Sequence, residues 1–405
     1  MKIIKQIDIA IVGAGVAGCS VALELAKMGF RDSVVLFEKE EKVLNSFRFY
    51  DFYNFGLEFK KLLRGEDYAL KYERLLYKEG INLKTEHTLI DIKDNLLIFK
   101  TNKGLVYYRA RKIVFALGSS LKKDESLFNT HKPQFLTVGK LWELAIKKEL
   151  NIKKIVLFGS EFLALRAAFK LAKIANLEIV AIIENSSSVK TPNFFKYYIE
   201  LIKRVPIFTN IKSLYINSTL GKINTLTFKS QGVRQSIDCE AIVLAGDCLP
   251  NSELFKNMPM FNDFNKTLNI TQNYQVTNNI FLAGNIIRGS YKSYLCSQEG
   301  IKVAKNVANS YIHLNNIRYA KIKIQKGPVL WYYPSLVDID TPAETLCYIK
   351  INSNFKGKLK VFLNEQLIKE KNIKVKANEI IKLEHLNIDL KEKDLINIKF
   401  EEKYR

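Results

Sequence analysis

The chain has 405 residues, of which 47% are hydrophobic and 26% are charged. This balance is typical of globular proteins and argues against wholesale disorder, and the length is sufficient for two or three domains with separate cores. The formal net charge is +22, yet the basic residues are scattered and no nucleic-acid-binding signature accompanies them. We therefore expect solvated basic faces that favour anionic substrates or partners, and no nucleic-acid target.

Two further features narrow the class of protein. The N-terminus runs directly into an apolar strand, and no apolar run approaches the ~18 residues that a transmembrane helix needs, so we expect a soluble, cytoplasmic protein. The cysteines are widely spaced and lack CxxC or metal-ligand spacing, which predicts no metal site, no iron–sulfur cluster and no redox-active dithiol. They are Cys19, Cys239, Cys248, Cys296 and Cys347.

The N-terminal segment predicts a strand–helix–strand unit. The apolar run from Ile7 to Val12 is a strand, Val16 to Met28 shows helical periodicity, and Val34 to Phe37 is the second strand. Such a unit requires a right-handed crossover and a parallel sheet. Its fold class is therefore α/β.

A glycine-rich turn, GAGVAG at residues 13–18, joins the first strand to the helix. Gly13, Gly15 and Gly18 would let backbone N–H groups and the helix dipole approach a pyrophosphate. Glu38 follows the second strand, twenty residues beyond Gly18. An acidic residue there binds the adenosine ribose and repels a 2′-phosphate, so NADP is disfavoured at this turn.

The rest of the chain repeats this plan and then departs from it. A hairpin is predicted over Leu89 to Leu105, followed by a strand from Lys112 to Leu117 that ends at Gly118. A second unit begins at Ile155, and the strand Ile242 to Ala245 mirrors the one before Gly118. After about Tyr319, strand-like alternation is broken by polar turns. We predict a discontinuous first domain (1–120 and 240–318), an inserted second domain (121–239) and a small β-rich domain (319–405).

The strand before Gly118 and the segment from Thr277 to Asn285 resemble further fingerprints of the FAD/NAD-linked pyridine nucleotide–disulfide oxidoreductase superfamily. That resemblance implies two Rossmann-like, three-layer domains, the second inserted in the first, with FAD at the first turn. The family reads Gly-Asp where this chain reads Gly284-Asn285, and an amide oxygen can still accept the ribityl hydrogen bond. The implied cofactor contacts are Gly13, Ala14, Gly15, Val16, Ala17, Gly18, Glu38, Lys39, Arg48, Gly118, Gly284 and Asn285.

Within the superfamily, the sequence most resembles the dithiol-free branch that contains the α subunits of opine oxidase, hydrogen cyanide synthase and dye-linked proline dehydrogenase. The flavoprotein associated with anaerobic glycerol-3-phosphate dehydrogenase is a related alternative. Members of the first branch often carry cysteines for an iron–sulfur centre, whereas the tail of this chain has only Cys347. Electrons would then leave by another route.

The second nucleotide turn reads Gly159-Ser160-Glu161-Phe162-Leu163-Ala164, so glutamate and alanine replace the second and third glycines. A carboxylate at that place opposes a phosphate, although Glu184 keeps the ribose-binding position. We favour a degenerate structural domain. Binding of NADH, or of ATP or ADP, is left open.

The resemblance implies an FAD-dependent dehydrogenase or electron-transferring subunit in which hydride passes through flavin N5, with an amine, amino acid or glycerol phosphate as substrate. Arg48, Tyr50, Asn285 and Gln298 would shape the flavin site, and Arg288 would clamp a substrate anion. His87, His131, His313 and His385 are poor candidates for a general base. Two alternatives are a NADH-dependent flavin reductase and a non-catalytic subunit that holds FAD for a partner. We expect an oligomer with a partner subunit or electron acceptor.

Overall fold

The computed structural model describes residues 3–50, 52–121, 135–219, 222–246, 248–312, 316–325, 327–341, 345–384 and 389–402. Strands and α-helices are numbered in chain order. The chain forms two compact units. Unit 1 comprises Met1–Arg48, Phe52–Ser119 and Leu249–Arg405, and unit 2 comprises Phe49–Asp51 and Ser120–Cys248.

Unit 1 is built on a Rossmann-like sheet in the order β19-β20-β6-β1-β2-β3. From β20 to β3 the neighbouring strands are parallel, and the core strand β1 is fully buried at Ile9 and Ile11. The strands are β1 (Ile4–Val12), β2 (Val34–Phe37), β3 (Asn82–Lys84), β4 (Thr88–Lys93), β5 (Leu96–Thr101), β6 (Gly104–Phe115), β19 (Gln275–Thr277) and β20 (Ile280–Leu282). The α-helices are α1 (Val16–Leu25), α2 (Gly65–Lys78) and α6 (Ser293–Ile312).

The predicted hairpin is confirmed, since β4 pairs with β5 and β5 pairs with β6, both antiparallel. The sequence divided β6 into a hairpin arm and a separate strand at Lys112. In the structure it is one strand of twelve residues, Gly104–Phe115. It serves both purposes because one edge pairs antiparallel with β5 while the other pairs parallel with β1.

Unit 2 repeats the parallel plan in the order β11-β10-β9-β15-β8. Its strands are β8 (Phe135–Thr137), β9 (Lys154–Phe158), β10 (Glu178–Ile183), β11 (Ile207–Phe208) and β15 (Ala241–Leu244), with α3 (Val138–Ile146), α4 (Phe162–Ile174) and α5 (Asn193–Tyr197). An antiparallel sheet adds β12 (Ile211–Thr219), β13 (Lys222–Ser230) and β14 (Val233–Asp238). The chain enters at β7 (Ser119–Leu121) and leaves at β16 (Cys248–Pro250).

One boundary of the compact units differs from the predicted domain boundary. The sequence assigned residues from 240 onward to the first domain, whereas unit 2 extends to Cys248. The reason is that β15 lies between β9 and β8 and is parallel to both. A buried apolar run ending in glycine has the same pattern in either sheet, so the pattern alone could not assign the strand.

The C-terminal residues form two β-sheets that share one hydrophobic core. The first sheet contains β21 (Tyr319–Ile324), β23 (Leu336–Asp338), β25 (Phe355–Leu363), β26 (Gln366–Val375) and β28 (Leu395–Glu402). The second contains β22 (Val329–Tyr333), β24 (Thr345–Ile351) and β27 (Ile380–Glu384), and the short pair β17 (Phe261–Asn262) and β18 (Thr267–Leu268) precedes them in the chain. Backbone N–H groups of Ser335 and Leu336 donate to the Ile270 carbonyl, which ties these sheets to the rest of unit 1.

Among the described residues, no helix combines the length and apolar character needed to cross a bilayer.

Candidate functional site

The glycine turn of unit 1 has three glycines with three different constraints. Gly13 has a φ of +107°, and a Cβ there would lie 2.4 Å from the Ala116 carbonyl oxygen. A Cβ on Gly18 would lie 1.9 Å from the Gly13 oxygen. A Cβ on Gly15 would meet nothing within 4 Å. The first and third glycines are therefore required by packing, while the second keeps space open at the turn.

That open space lies at the N-terminus of α1. Gly15 is the N-cap residue and brings no capping side chain, and the first turn, which begins with the buried Val16 and Ala17, has no acidic residue. The first N–H groups of a helix have no partner within the helix. Together with the helix dipole they form a site that fits a pyrophosphate.

Glu38 is held against the same turn. Its Oε2 accepts a hydrogen bond from the Ala14 N–H at 2.7 Å, and its Oε1 accepts one from the Glu40 N–H at 3.0 Å. Burial raises the pKa of the carboxyl, and these two N–H groups partly offset that rise. Lys39 points into solvent, 3.6 Å from Glu40. Glu38 is thus oriented by backbone atoms next to the open space at the start of α1, an orientation that suits a ribose acceptor.

The other predicted glycines follow two neighbouring strands of the unit 1 sheet, Gly118 after β6 and Gly284 after β20. Gly118 and Gly284 both have positive φ, +69° and +76°. A Cβ on Gly284 would lie 2.7 Å from the Cβ of Ala17, so this segment packs directly on the start of α1. The oxygen of Asn285 accepts a hydrogen bond from the Cys296 thiol at 3.3 Å. Burial raises the pKa of Cys296 to about 12, which keeps it a neutral thiol donor.

Arg288 lies in a different environment from the one that the sequence suggested. Both of its terminal nitrogens donate to Glu299 Oε1, at 2.9 and 2.5 Å, and the two residues are 8% and 4% exposed. Its guanidinium also faces the rings of Tyr291, Trp331 and Tyr333 at 4.6 to 5.6 Å. A guanidinium committed in this way is not placed as an exposed clamp for a substrate anion. Instead, it joins α6 to the C-terminal sheets.

The Arg48 side chain is 9% exposed and is bonded through both terminal nitrogens. They donate to Glu66 at 2.6 Å and to Glu73, both on α2. Its Nε is buried and has no hydrogen-bond partner among the described residues. Since buried donors are nearly always satisfied, this atom is a candidate donor to a bound molecule.

Sequence reasoning missed a buried polar network beside α6. Glu58 Oε1 accepts hydrogen bonds from the hydroxyls of Tyr68 and Tyr72. Tyr72 in turn lies 3.2 Å from Ser20 on α1 and 3.2 Å from Ser297 on α6. Glu58 Oε2 is buried and has no hydrogen-bond partner in the part of the chain that the structure describes, so it is an acceptor available to a bound molecule. No sequence motif that we identified contains these residues.

The remaining predicted residues are less informative in the structure. Gln298 is exposed on α6. Tyr50 is largely enclosed, and burial raises the pKa of its phenol to about 12. His87 packs against the rings of Phe37, Phe99 and Tyr108, as expected of a structural histidine. His131, His313 and His385 lie outside the described residues.

The corresponding turn of unit 2 has a different chemistry. Gly159 keeps the strained backbone, with a φ of +102°, but the N-cap of α4 is Glu161. Glu184 is 1% exposed and already accepts hydrogen bonds from the Ser160 hydroxyl at 2.5 Å and from Ser186. Its position after β10 matches that of Glu38 after β2, but its carboxylate oxygens accept hydrogen bonds from the side-chain hydroxyls of Ser160 and Ser186, whereas those of Glu38 accept from backbone N–H groups.

A family model described as pyridine nucleotide-disulphide oxidoreductase matches residues 7–307. The chain belongs to that family. Its members bind FAD and interact with NAD(P), so the predicted superfamily, the Rossmann-type fold and FAD as cofactor are confirmed. The enzyme class that follows is a flavin-dependent oxidoreductase.

Solved structures share the fold at low sequence identity. Thioredoxin reductase from Lactococcus lactis has a TM-score of 0.60 and 14% identity over 76% of this chain and 99% of its own. The bacillithiol disulfide reductase Bdr (YpdA) from Staphylococcus aureus has 0.58 and 16% over 75% and 99%. L-proline dehydrogenase from P. horikoshii has 0.52 and 15% over 77% of this chain and 57% of its own. No curated protein matches the chain.

Observations in unit 1 fit FAD. The space at Gly15 would accommodate a pyrophosphate, which a Cβ would obstruct, and Glu38 offers carboxylate oxygens for a ribose. Arg48 Nε and Glu58 Oε2 are a buried donor and a buried acceptor, and neither has a partner within the described ranges. Among the described residues, no cluster of His, Cys, Asp or Glu could hold a metal ion.

Proposed function

We propose that this protein is an FAD-dependent dehydrogenase or electron-transferring subunit that binds its dinucleotide in unit 1 alone and works without a redox-active disulfide. The observation that carries the proposal is the contrast between the two turns. Gly15 leaves the start of α1 open, whereas Glu161 places a carboxylate at the start of α4 and Glu184 is engaged by protein hydroxyls.

The residues that would hold FAD divide by the part of the cofactor they serve. The N–H groups at Gly15, Val16 and Ala17 would bind the pyrophosphate, and Glu38 the adenosine ribose. Gly118, Gly284 and Asn285 would contact the cofactor where β6 and β20 end. On binding, the Asn285 oxygen would accept a hydrogen bond from a cofactor hydroxyl in place of the one from the Cys296 thiol. When bound, FAD supplies hydride and single-electron chemistry that no protein side chain offers.

The chain's own residues would orient the cofactor and exclude water. Tyr68 and Tyr72 are buried. Both side chains are uncharged, because burial raises the pKa of both phenols. They fix the carboxylate of Glu58, so its second oxygen keeps one direction. A fixed acceptor costs less reorganisation than a mobile one when it receives a hydrogen bond.

We also propose a small amine or amino acid as substrate. The fold shared with L-proline dehydrogenase supports this class, and a glycerol phosphate is the alternative. A cytoplasmic location is supported by the thiols of Cys19, Cys239, Cys296 and Cys347, because unpaired cysteines are typical of a reducing compartment. Electrons would pass to a partner subunit or soluble acceptor.

An anaerobic titration tests the proposal. The purified protein should show a flavin spectrum, release FAD on denaturation, and be reduced by dithionite but not by millimolar NADH. Rapid bleaching by NADH would overturn the claim that unit 2 binds no nicotinamide and would establish a flavin reductase. A colourless protein that FAD cannot reconstitute would overturn the assignment to FAD.

Turnover separates a catalytic protein from a subunit that only holds FAD. Proline, other amino acids, simple amines and glycerol 3-phosphate would each be offered with an artificial dye acceptor. Dye reduction by any of them supports a dehydrogenase. Bound FAD that none of these substrates reduces would contradict the proposed substrate classes and favour the non-catalytic alternative.

A further inference from the structure

The outer helices of unit 2 expose an unusual run of large apolar side chains. Within residues 194–202, on α5 and the π-helical turn Tyr198–Ile202 that continues it, five large apolar side chains are exposed. Phe194 is 67% exposed, Leu201 70% and Ile202 69%, and Tyr197 and Tyr198 lie between them. Exposed apolar residues normally occur singly, so a concentration of this kind indicates a contact surface.

The neighbouring groove is aromatic and basic. A cavity of about 520 Å³ lies between α4 and the segment 193–203, and its lining has five aromatic residues, four basic residues and no acidic one. The Arg166 guanidinium lies 5.6 Å from the Phe162 ring centre, and Lys203 Nζ lies 5.6 Å from that of Tyr198. The exposed apolar run and this groove together are the aromatic–basic patch.

The composition of the patch indicates which kind of binding partner it fits. Side chains that stand two-thirds exposed project outward, as they would to enter a soft apolar layer, instead of forming a closed pocket for one ligand. Basic residues beside them match the negative headgroups above such a layer. The net charge of +22 adds long-range attraction toward an extended anionic surface.

We propose that the aromatic–basic patch docks this protein onto an anionic phospholipid bilayer. Phe194, Leu201 and Ile202 enter the headgroup boundary, Tyr197 and Tyr198 lie at its polar edge, and Lys173 and Lys203 contact phosphates. The protein lies on the membrane and does not span it. The proposal does not depend on which nucleotide either unit binds.

Vesicle co-sedimentation of the full-length, FAD-loaded protein tests this docking. Vesicles of phosphatidylcholine with about one third phosphatidylglycerol should bind the protein at least tenfold more strongly than vesicles of phosphatidylcholine alone. The double variant Leu201→Ser/Ile202→Ser should lower binding about tenfold, because it removes two inserted side chains. The matched control Ile146→Ser/Ile312→Ser, which removes equally exposed residues elsewhere, should bind like the parent protein.

A charge variant and an oligomer measurement complete the test. Lys173→Glu/Lys203→Glu should abolish the preference for phosphatidylglycerol, and an unchanged circular dichroism spectrum and chemical denaturation curve would show that the variants fold. Equal loss in the control pair, or no vesicle binding by the parent protein, would overturn the proposal. So would light scattering that shows a dimer lost specifically in Leu201→Ser/Ile202→Ser, because a second copy would then cover the patch. An acidic protein that binds the patch while vesicles do not would also overturn it.

Discussion

The first and second glycine turns share a backbone and differ in what they leave open. Gly13 and Gly159 have nearly the same φ, +107° and +102°, and a Cβ on either would strike the backbone of a neighbouring strand at 2.4 or 2.5 Å. At the next fingerprint position, Gly15 brings no side chain and Glu161 brings a carboxylate. The first glycine of the motif is therefore required by the fold. The residue at the second position determines what can approach the start of the helix.

The acidic residues after the second strands show the same division. Glu38 is bonded to backbone N–H groups around the first turn. Glu184 is bonded to the hydroxyls of Ser160 and Ser186, and the Lys190 N–H donates to that Ser160 hydroxyl at 2.8 Å. In unit 2, side chains of the protein occupy the hydrogen-bonding positions that a ribose would use. We therefore propose that the fold of unit 2 persists without binding a nucleotide.

The largest expected effect is on folding and is common to both turns. Gly13→Ala and Gly159→Ala should each lower the free energy of unfolding by about 3 kcal/mol, since each adds a backbone clash and an unfavourable positive φ. Chemical denaturation measures the loss. Gly232→Ala is the control, because it shares the positive φ but its Cβ meets nothing within 4 Å. A loss at Gly13 or Gly159 no greater than at Gly232 would contradict the packing argument.

Gly15→Glu would convert the first turn into the second. The protein should fold, because nothing lies within 4 Å of the new Cβ, but FAD affinity should fall about 100-fold as a carboxylate faces the pyrophosphate. Fluorescence titration of the apoprotein with FAD measures the change. Gly15→Gln separates charge from bulk, and an affinity equal to that of the parent protein in Gly15→Glu would refute the assignment of this turn.

Ser160→Ala would test how much the internal contacts of the second turn contribute to stability. Removing the hydroxyl leaves the buried Glu184 carboxylate short of a donor, which should cost about 1–3 kcal/mol of stability. FAD content and flavin absorbance should not change, because the residue belongs to unit 2. A parallel loss of FAD would show that the two turns are not independent.

The smallest expected effect is a pH dependence at Glu38. Burial raises its pKa above 4.5, so the folded apoprotein holds this proton more tightly than the unfolded chain does. The associated stabilisation is present below about pH 4.5 and is lost as the pH rises through the folded pKa. Glu38→Gln should remove that fall from the unfolding free energy measured by denaturation at several pH values. An identical pH profile in parent and variant would contradict it.

The sequence predicted those features that depend on local pattern. The strand–turn–helix units, the hairpin before β6 and the glycine fingerprints each occupy a short window with a distinctive residue spacing. The position of β15 could not be predicted in this way. Its apolar run suits either parallel sheet, and only long-range pairing with β8 and β9 assigns it to unit 2.

The candidate site divides in the same way. Gly15 and Glu38 were identifiable because the motif states their spacing. Glu58 was not, because its partners Tyr68, Tyr72 and, through Tyr72, Ser297 come together only in the folded chain. The sequence predicted that Arg288 would bind a substrate anion, because its sequence context does not reveal Glu299 or the aromatic rings that bury it.

The nucleotide content of the protein after saturation with FAD and NADH together tests the central claim most directly. Following removal of unbound ligand, acid release and chromatographic quantification, the structure predicts one FAD per chain and no NADH. Absence of FAD, or NADH retained in amounts comparable to the chain, would contradict the contrast between the open turn at Gly15 and the closed turn at Glu161.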